Sequence, residues 1–401
     1  MSLTSIELFA GAGGLALGMS KAGFRHAAVL EWDHDACETI RLNQQRGMPL
    51  VADWNLIEAD ACSVKYKSYS PDIAVISGGP PCQPFSVGGN HKGLADHRDM
   101  FPEAIRSVRE LAPKAFIFEN VKGLLREKFA SYVEYVVLQL TYPDVRRRST
   151  ETWIDHLSRL ERHHIAAKRR QDQGGSFQYR VVFRVLNAAN YGVPQRRERV
   201  FFVGFRQDLS VEWSFPESTH SYDALLHDQW VTGEYWDRHR IALARRPSLP
   251  QRLARKVQLM QCELFPATSE LPWLTVRDAL RDLPDPQEHP HNDIPNHKFV
   301  AGARPYPGHD GSRLDEPAKT LKAGDHGVPG GENTLLYGDG RLRYFTIREA
   351  ARLQTFPDHY HFSGSWTEVM RQLGNAVPVK LAEVVATSVA RTIRRVSQKN
   401  T

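Results

Sequence analysis

Residues 4–24 read TSIELFAGAGGLALGMSKAGF, an apolar run followed by a glycine-rich turn and a second apolar segment. The run Ile6-Glu7-Leu8-Phe9 predicts a strand, Gly11, Gly13 and Gly14 predict a tight turn, and a helix is expected after them. Such a turn lets the backbone approach a ligand closely and directs helix N–H groups towards it. The same residues satisfy the G-x-G-x-x-G/A dinucleotide pattern, so a nicotinamide or flavin enzyme is one interpretation.

Polar residues follow the next two short segments of the chain. Glu31 ends the apolar run Ala27 to Leu30 and is placed to accept hydrogen bonds from ribose hydroxyls. Trp32, beside it, is either a ring that lies against an adenine or a core aromatic. Asp60 is either an acceptor for an adenine amino group or a solvated loop residue. These positions are typical of a site for a nucleoside-containing cofactor.

A proline-rich loop follows the apolar run Ile73 to Ile76, and residues 79–86 read GPPCQPFS. Proline fixes φ and has no N–H, so Cys82 is held on a loop with few conformations. Open α/β proteins place chemistry on loops beyond buried strands. Cys82 is therefore a candidate nucleophile, and the alternative is a small buried hydrophobic residue.

Short apolar segments alternate with amphipathic ones over residues 1–140, which predicts an α/β fold with a doubly wound, mainly parallel sheet. The expected strands are 4–9, 26–31, 73–77, 115–119, 180–186 and 200–205, and the expected helices include 100–111, 346–357 and 377–394. The return to regular patterning after residue 340 predicts that one domain comprises 1–205 and 340–401. Residues 206–339 are expected to form an inserted, smaller, loop-rich domain.

Two segments within this plan have unusual composition. Residues 141–178 carry basic runs around a plausible helix, and they are either a solvated helical insertion or a DNA contact. Prolines and histidines cluster in residues 206–318, where the hydrophobic periodicity is weak. The histidines lack cysteine partners and H-x₃-H spacing, so no metal site is expected there.

The composition limits the class of protein. The 401 residues are 41% hydrophobic and 24% charged, as is ordinary for a soluble globular protein, and we expect neither a membrane span nor a signal peptide. The cysteines, Cys37, Cys62, Cys82 and Cys262, form no C-x-x-C pair, which favours a reducing, cytoplasmic location without disulfides or zinc. A formal charge of +6 is compatible with a polyanionic partner.

Seven motifs, in order, resemble those of DNA (cytosine-5) methyltransferases of the bacterial restriction–modification type. They are FAGAGG (9–14), EW (31–32), Asp60, GPPCQ (79–83), ENV (119–121), QRRER (195–199) and QLGNAV (372–377). The resemblance implies a Rossmann-like catalytic domain that depends on S-adenosylmethionine, and a loop-rich α+β target-recognition domain. It favours S-adenosylmethionine over NAD, with S-adenosylhomocysteine as product and no metal.

The resemblance also implies which residues contact the cofactor. They are Phe9, Ala10, Gly11, Gly13, Gly14, Leu15, Glu31, Trp32, Asp60, Ala61, Gly79, Pro80, Met100, Asn375, Ala376 and Val377. For Asn375, helix N-capping is an alternative or additional role.

The reaction implied by the resemblance is addition of the Cys82 thiolate to carbon 6 of cytosine, which turns the ring into an enamine that attacks a methyl group at carbon 5. Glu119 is expected to hold or donate a proton at N3, with a structural salt bridge or helix cap as the alternative role. Arg199 is expected to bind O2, and Arg197 is the other candidate. No side chain is assigned to removal of the carbon 5 proton, for which water is plausible.

The target base lies inside duplex DNA, so it must be flipped out of the stack. Residues 86–93 form a glycine-containing loop that is expected to close over the flipped base, and Ser86, Arg98 and Thr320 are expected phosphate contacts. The expected partner is double-stranded DNA, the expected state is a monomer, and a cognate endonuclease is possible. A tRNA cytosine substrate and an inactive DNA-binding protein are the alternatives.

Overall fold

The computed structural model describes residues 3–69, 72–82, 99–169, 177–262, 269–305, 310–323 and 333–399. The chain forms two compact units. The first comprises residues 1–186, 198–216 and 382–401, and the second comprises 187–197 and 217–381.

The first unit is built on a seven-stranded sheet in the order β3-β2-β1-β4-β5-β7-β6. Its strands are β1 (Leu3–Leu8), β2 (Phe24–Glu31), β3 (Leu56–Glu58), β4 (Val75–Gly78), β5 (Ala115–Val121), β6 (Tyr179–Asn187) and β7 (Glu198–Arg206). The pairs β1–β2, β1–β4, β2–β3 and β4–β5 are parallel, whereas β5–β7 is antiparallel. The predicted doubly wound, mainly parallel sheet is thus confirmed.

Helices of the early chain connect these strands, as the crossovers between parallel strands require. They are α1 (Gly14–Lys21), α2 (His34–Gln45), α3 (Phe101–Leu111), α4 (Ala130–Thr141) and α5 (Trp153–Arg169). The core between sheet and helices is aromatic, with Phe101 of α3 edge-on to Phe202 of β7 at a centroid distance of 5.9 Å. Phe116 stacks on Phe118 at 5.2 Å.

The strand order reverses between β1 and β4, which lie side by side although β2 and β3 separate them in the chain. Leu8 pairs with Gly78, and Gly78 pairs with Phe118, so β1, β4 and β5 end at the same edge. Ligands of open α/β sheets bind beyond the carboxyl ends of the strands at such a switch point. The glycine turn after β1 and the Cys82 loop after β4 therefore leave the sheet next to each other.

The second unit has short elements, in agreement with its weak periodicity. They are α6 (Tyr222–His227), α7 (Glu234–Arg238), α8 (Gln251–Gln261), α9 (Val276–Leu280), α10 (Ile347–Leu353) and α11 (Trp366–Asn375), with strands β8 (His220–Ser221), β9 (Leu271–Pro272), β10 (Ser312–Arg313), β11 (Thr334–Leu336) and β12 (Leu342–Tyr344). One small apolar cluster packs Leu225, Tyr235 and Trp236 together. The last helix, α12 (Val379–Lys399), includes the C-terminal segment of the first unit.

The compact units divide the chain differently from the predicted domains. Residues 187–197 and 340–381 belong to the second unit, and 206–216 belong to the first. The reason lies in buried polar contacts within the second unit: the Gln195 amide donates to the Leu353 carbonyl at 3.2 Å and accepts from the Leu321 N–H at 3.0 Å. Such long-range pairs leave no periodic signal in the sequence.

Residues 141–178 contain α5, which packs on α4 and on the residue that follows it through polar side-chain pairs. Tyr135 and His156 are hydrogen-bonded at 2.9 Å, and Tyr142 and His164 at 2.7 Å. The described part of this insertion is thus attached to the sheet domain, while the basic run 146–148 is exposed. Within the described ranges, no helix combines the length and apolar character needed to cross a membrane.

Candidate active site

The turn after β1 is held by the acidic residue at the end of β2. Glu31 Oε2 accepts the Gly11 N–H at 2.6 Å, and its Oε1 accepts those of Trp32 at 2.9 Å and Asp33 at 2.8 Å. Burial raises the pKa of Glu31 above its ordinary value, and these three N–H donors oppose that shift. A carboxylate has about four acceptor positions, so one is left for a further donor such as a hydroxyl.

Backbone conformation explains the small residues of this turn. Gly11 and Gly13 have positive φ angles of 54° and 85°, in the region that favours glycine, and Gly13 directly precedes α1. A Cβ added at Gly11 meets no atom within 4 Å, so space for a ligand is open beside the backbone. Phe9 also has a positive φ, of 55°, which is uncommon for an aromatic residue. The predicted contacts Ala10, Gly14 and Leu15 belong to the same turn and are buried.

Trp32 is 75% exposed, so the alternative of a core aromatic is excluded. A large apolar ring in water at the end of β2 is available to a ligand, as an adenine-stacking role requires. Asp60 lies after β3 and accepts the Cys62 N–H at 2.9 Å, which orders the short turn containing buried Ala61. These residues, with Glu31, line the carboxyl ends of β2 and β3.

The loop that carries Cys82 is fixed by two backbone contacts. The Asn120 side-chain amide donates to the Pro80 carbonyl at 2.9 Å, and the Met100 N–H donates to the Pro81 carbonyl at 3.0 Å. Cys82 itself forms an isolated antiparallel bridge with Asp99. A Cβ at Gly79 would lie 3.4 Å from Glu119 Oε2, so this glycine allows close approach of the loop to that carboxylate.

Cys82 is 7% exposed. Burial raises the pKa of its thiol well above the ordinary range, and the negative charge of Asp99 adds to that shift. A hydrogen bond with the Tyr132 hydroxyl acts in the opposite direction. The thiol is thus protonated at neutral pH in this structure, because desolvation disfavours the thiolate.

Glu119 and Arg199 form a buried ion pair at the same edge of the sheet. Arg199 Nε lies 2.9 Å from Glu119 Oε1, and the two side chains are 11% and 8% exposed. The antiparallel pairing of β7 with β5 brings them together, since Val121 is opposite Arg199. Burial lowers the pKa of Arg199, and the Glu119 carboxylate opposes this shift. The predicted Glu119 and Arg199 are thus neighbours.

Arg197, the other candidate for the O2 contact, lies in the second unit and has a structural set of partners. It is fully buried, and its guanidinium donates to the carbonyls of Leu321 at 3.0 Å, Gly374 at 2.6 Å and Ala376 at 2.8 Å. A guanidinium that satisfies three backbone carbonyls stabilises their segments. These contacts give Arg197 a structural role within the second unit, while the contact of Arg199 or Arg197 with O2 stays a prediction.

The QLGNAV motif lies in the second unit. Asn375 is the exposed last residue of α11, Ala376 is its C-cap, and α12 begins only at Val379, so the alternative N-cap role of Asn375 is wrong. A Cβ at Gly374 would lie 2.3 Å from the Ala323 nitrogen, which explains the glycine. Cofactor binding by Asn375, Ala376 and Val377 stays a prediction.

The expected DNA contacts are only partly described. Ser86 and Arg98, the loop 86–93 and Gln83 of the GPPCQ motif lie outside the described residues. Thr320 is half-buried, and its hydroxyl donates to the Arg196 carbonyl at 2.7 Å. A hydroxyl has one proton, so in this arrangement Thr320 presents no side-chain donor to a phosphate.

Comparison with known proteins identifies the family. The sequence matches the family of C-5 cytosine-specific DNA methylases over residues 3–142 and 162–391. The chain belongs to this family. The methyltransferase is 32% identical over 404 residues to the type II methyltransferase M.NgoMIV of Neisseria gonorrhoeae, covering 98% of this chain and 99% of that protein. It is 30% identical over 403 residues to M.Eco47II of Escherichia coli, covering 99% and 81% respectively.

A solved structure agrees with this methyltransferase in fold. The Dnmt2 methyltransferase of S. pombe superposes with a TM-score of 0.54 at 17% identity, covering 98% of this chain and 99% of that one. The family assignment makes the chain a DNA (cytosine-5) methyltransferase, an enzyme for which S-adenosylmethionine is the methyl donor.

Several residues of the methyltransferase's site have no counterpart in the predictions. The ENV motif includes Asn120, but the motif predicts no role for it. In the structure its side-chain amide donates to the Pro80 carbonyl and so positions the Cys82 loop. Asp99 is bridged to Cys82 through the backbone, and the Tyr132 hydroxyl donates to Asp99 Oδ2 at 2.6 Å, so both lie beside Cys82. Asp99 follows the motif loop, whereas Tyr132 lies on α4, fifty residues after Cys82, and its helical spacing indicates only a buried aromatic.

Proposed function

We propose that the protein transfers a methyl group from S-adenosylmethionine to carbon 5 of a cytosine in a specific short duplex DNA sequence, through a covalent bond between Cys82 and carbon 6 of a flipped-out base. The arrangement that carries this proposal is the placement of Cys82 and the Glu119–Arg199 pair on adjacent loops and strands at one edge of the sheet. The glycine turn held by Glu31 leaves the same edge.

The cofactor fits the chemistry of the residues in the first unit. Open space beside Gly11, the exposed ring of Trp32 and the remaining acceptor position of Glu31 suit the amino-acid, adenine and ribose parts of S-adenosylmethionine, respectively. Asp60 would accept from the adenine amino group, with Ala61, Gly79, Pro80 and Met100 completing the pocket. When bound, the cofactor supplies an electrophilic methyl group. The donor set needs no metal.

The protein groups act on the base in sequence. The Cys82 sulfur adds to carbon 6, and the electrons of the 5,6 double bond move towards N3 and O2. Glu119 must carry a proton when the base is bound; it delivers that proton to N3, which leaves an enamine whose carbon 5 can accept a methyl group. Arg199 stabilises the charge at O2; it has five N–H donors, so the contact with Glu119 leaves others for the base. Water then removes the carbon 5 proton, the sulfur–carbon bond breaks towards Cys82, and N3 returns its proton to Glu119.

The chemistry requires the base outside the duplex, because carbon 6 is not accessible in stacked DNA. We propose that loops of the second unit, including Thr320 in its Pro-x-x-Thr-Leu segment, meet the DNA and select the sequence. Ser86 and Arg98 would contact phosphates next to the flipped nucleotide. The enzyme would act as a monomer in the cytoplasm, since one catalytic unit of this kind can modify one base unaided.

The relatives are type II methyltransferases, which supports a restriction–modification role for this chain. We propose that it protects host DNA from an endonuclease that recognises the same sequence. Bisulfite sequencing of plasmid DNA from cells that express the chain tests both activity and specificity. We expect protected cytosines in one short recurring sequence, and none with the Cys82→Ser variant. Full conversion with folded wild-type protein present would contradict the DNA substrate, and labelled methyl transfer to a tRNA pool would then support the tRNA alternative.

Replacement of Trp32 by alanine tests the cofactor site. We expect the dissociation constant for S-adenosylmethionine to rise roughly tenfold to hundredfold, because loss of an aromatic stacking partner costs about 1–3 kcal/mol. The free energy of unfolding should stay within about 0.5 kcal/mol of the wild type, since the ring is 75% exposed. Calorimetric titration measures the former and thermal unfolding the latter.

The matched control for this variant is Leu243→Ala, which removes an equally exposed apolar side chain, 79% exposed, from the second unit. It should leave cofactor binding and stability unchanged. An unchanged cofactor affinity in Trp32→Ala would remove Trp32 from the site.

A further inference from the structure

We propose that Tyr132 and Asp99 form a proton relay that takes the proton of the Cys82 thiol as its sulfur attacks the base, and returns it when the sulfur leaves. This inference rests on the proposed role of Cys82 as nucleophile and adds the step that activates it. Neither residue belongs to any of the seven motifs. Both lie in the first unit, next to the thiol.

The contacts form a continuous chain of three groups. The Tyr132 hydroxyl donates to Asp99 Oδ2 at 2.6 Å. The same hydroxyl is hydrogen-bonded to the Cys82 side chain. A phenol has one proton, and in the resting state the carboxylate receives it, which leaves the Tyr132 oxygen as acceptor for the thiol proton. Before the reaction, the thiol therefore donates to the phenol oxygen, and the phenol donates to the carboxylate. Once the thiolate has formed, the hydroxyl can donate to it instead, and it is through this bond that Tyr132 lowers the thiol pKa.

The three groups are held in place by the surrounding fold. Asp99 is bridged to Cys82 through the backbone, and its Oδ1 accepts the Phe101 N–H at 3.2 Å, where α3 begins. The Tyr132 ring, on α4, packs edge-on against Phe101 at a centroid distance of 6.5 Å. Tyr132 and Cys82 are buried, whereas Asp99 is half-buried. Relay groups need this fixed geometry, because proton transfer requires hydrogen-bond contact.

The electrostatics of the site create the need for such a relay. The thiol is buried and protonated beside a carboxylate, so a free thiolate is disfavoured before the base arrives. The same carboxylate is a proton acceptor that can act in concert with attack. The charge of Asp99 thus disfavours a thiolate before the base is bound. During attack, the same carboxylate favours loss of the thiol proton because it accepts a proton through Tyr132.

The step balances as follows. The S–H bond breaks and its electron pair forms the bond from sulfur to carbon 6; the proton passes to the Tyr132 oxygen while the phenol proton passes to the Asp99 carboxylate. The 5,6 double-bond electrons move into the ring, where N3 is protonated by Glu119. When carbon 5 has lost its proton to water, the sulfur–carbon bond breaks towards sulfur, the N3 proton returns to Glu119, and the Asp99 proton returns to sulfur through Tyr132. Thiol, phenol and carboxylate are then as at the start.

Two isosteric variants test the relay. Asp99→Asn keeps an acceptor oxygen for the Phe101 N–H but cannot take a proton, and Tyr132→Phe keeps the ring that packs on Phe101. Each should slow single-turnover methyl transfer roughly 10²-fold, the lower range for general base catalysis. Tyr135→Phe is the matched control: it removes a buried hydroxyl from the same helix, one bonded to His156, and should keep the wild-type rate.

A second readout separates proton transfer from a structural effect. Loss of the negative charge in Asp99→Asn should lower the thiol pKa, so alkylation of Cys82 by iodoacetamide at pH 7, followed by peptide mass spectrometry, should become about tenfold faster. Alkylation and methyl transfer then change in opposite directions. Loosening of the site would expose Cys82 and speed alkylation in Tyr132→Phe as well, whereas the relay predicts no acceleration there, because loss of this hydroxyl does not lower the thiol pKa. Faster alkylation in both variants, or unchanged methyl transfer in either, would overturn the relay.

The 5-fluorocytosine adduct distinguishes failure of the relay from failure of the proposed function. A wild-type adduct that forms roughly 10²-fold faster than those of Asp99→Asn and Tyr132→Phe supports the relay. Equal adduct rates in all three proteins overturn the relay alone. If the wild type forms no adduct at Cys82, the nucleophile and the relay are both overturned.

Discussion

Replacement of Cys82 by serine is expected to reduce methyl transfer below detection, a loss of roughly 10³-fold or more. Serine is nearly isosteric with cysteine. Its hydroxyl ionises far less readily than a thiol and is a harder nucleophile, so we expect addition to carbon 6 to be too slow to detect. Because the site is buried and the volume change small, we expect the fold and DNA binding to be retained. Transfer of labelled methyl groups to plasmid DNA measures the activity, and a gel-shift assay measures DNA binding.

Cys262→Ser is the matched control, because it makes the same chemical change at an exposed free cysteine of the second unit. It should retain wild-type turnover. On DNA with 5-fluorocytosine at the target, the wild type and this control should form a covalent complex that survives a denaturing gel, since fluorine cannot leave as a proton. The assignment of Cys82 as nucleophile would be contradicted if Cys82→Ser turned over at a rate within tenfold of the wild type. It would also be contradicted if the wild type gave no shifted band.

Replacement of Glu119 by glutamine is expected to lower kcat by roughly 10²–10⁴-fold with a small change in the KM for DNA, because the amide cannot deliver a proton to N3. The change also removes the carboxylate that pairs with buried Arg199 at 2.9 Å. A buried charge without its partner costs about 3–5 kcal/mol, so we expect a lower free energy of unfolding as well. Pre-steady-state methyl transfer, normalised to folded protein, separates the two effects.

Glu349→Gln provides a control for the loss of stability. Glu349 is buried and paired with Arg343 at 2.7 Å within the second unit, so this variant also leaves a buried arginine without its carboxylate. It should unfold more readily but keep the wild-type kcat per folded molecule. If Glu119→Gln behaves in the same way, with kcat within about threefold of the wild type, then Glu119 has only a structural role.

The fold could be predicted from the sequence because its strands and helices have strong local patterns of apolar residues. The apolar runs of β1, β2, β4 and β5 and the glycine turn were located to within two or three residues. The helix expected over 100–111 is α3, Phe101–Leu111. Local periodicity reports burial of a strand or helix face, so it predicts these elements without knowledge of their partners.

Choices between similar residues needed the structure. Arg197 and Arg199 are separated by one residue, and only tertiary contacts show that Arg197 is buried against three backbone carbonyls while Arg199 pairs with Glu119. For Trp32, its 75% exposure excludes the core role, and stacking on an adenine ring stays a prediction. Burial depends on what packs against a side chain, which motif spacing does not encode.

The sequence by itself determined the family, the reaction class and most of the residues proposed to act on the base, because motif order and residue chemistry are local properties of the chain. Only the tertiary structure decided the boundaries of the two units and the surroundings of the Cys82 thiol. Asp99 and Tyr132 reach that thiol from different elements, and their contact results from the packing of α3 and α4 on the sheet. Hydrogen bonds between elements distant in sequence form only when the chain is folded, so no local pattern predicts them.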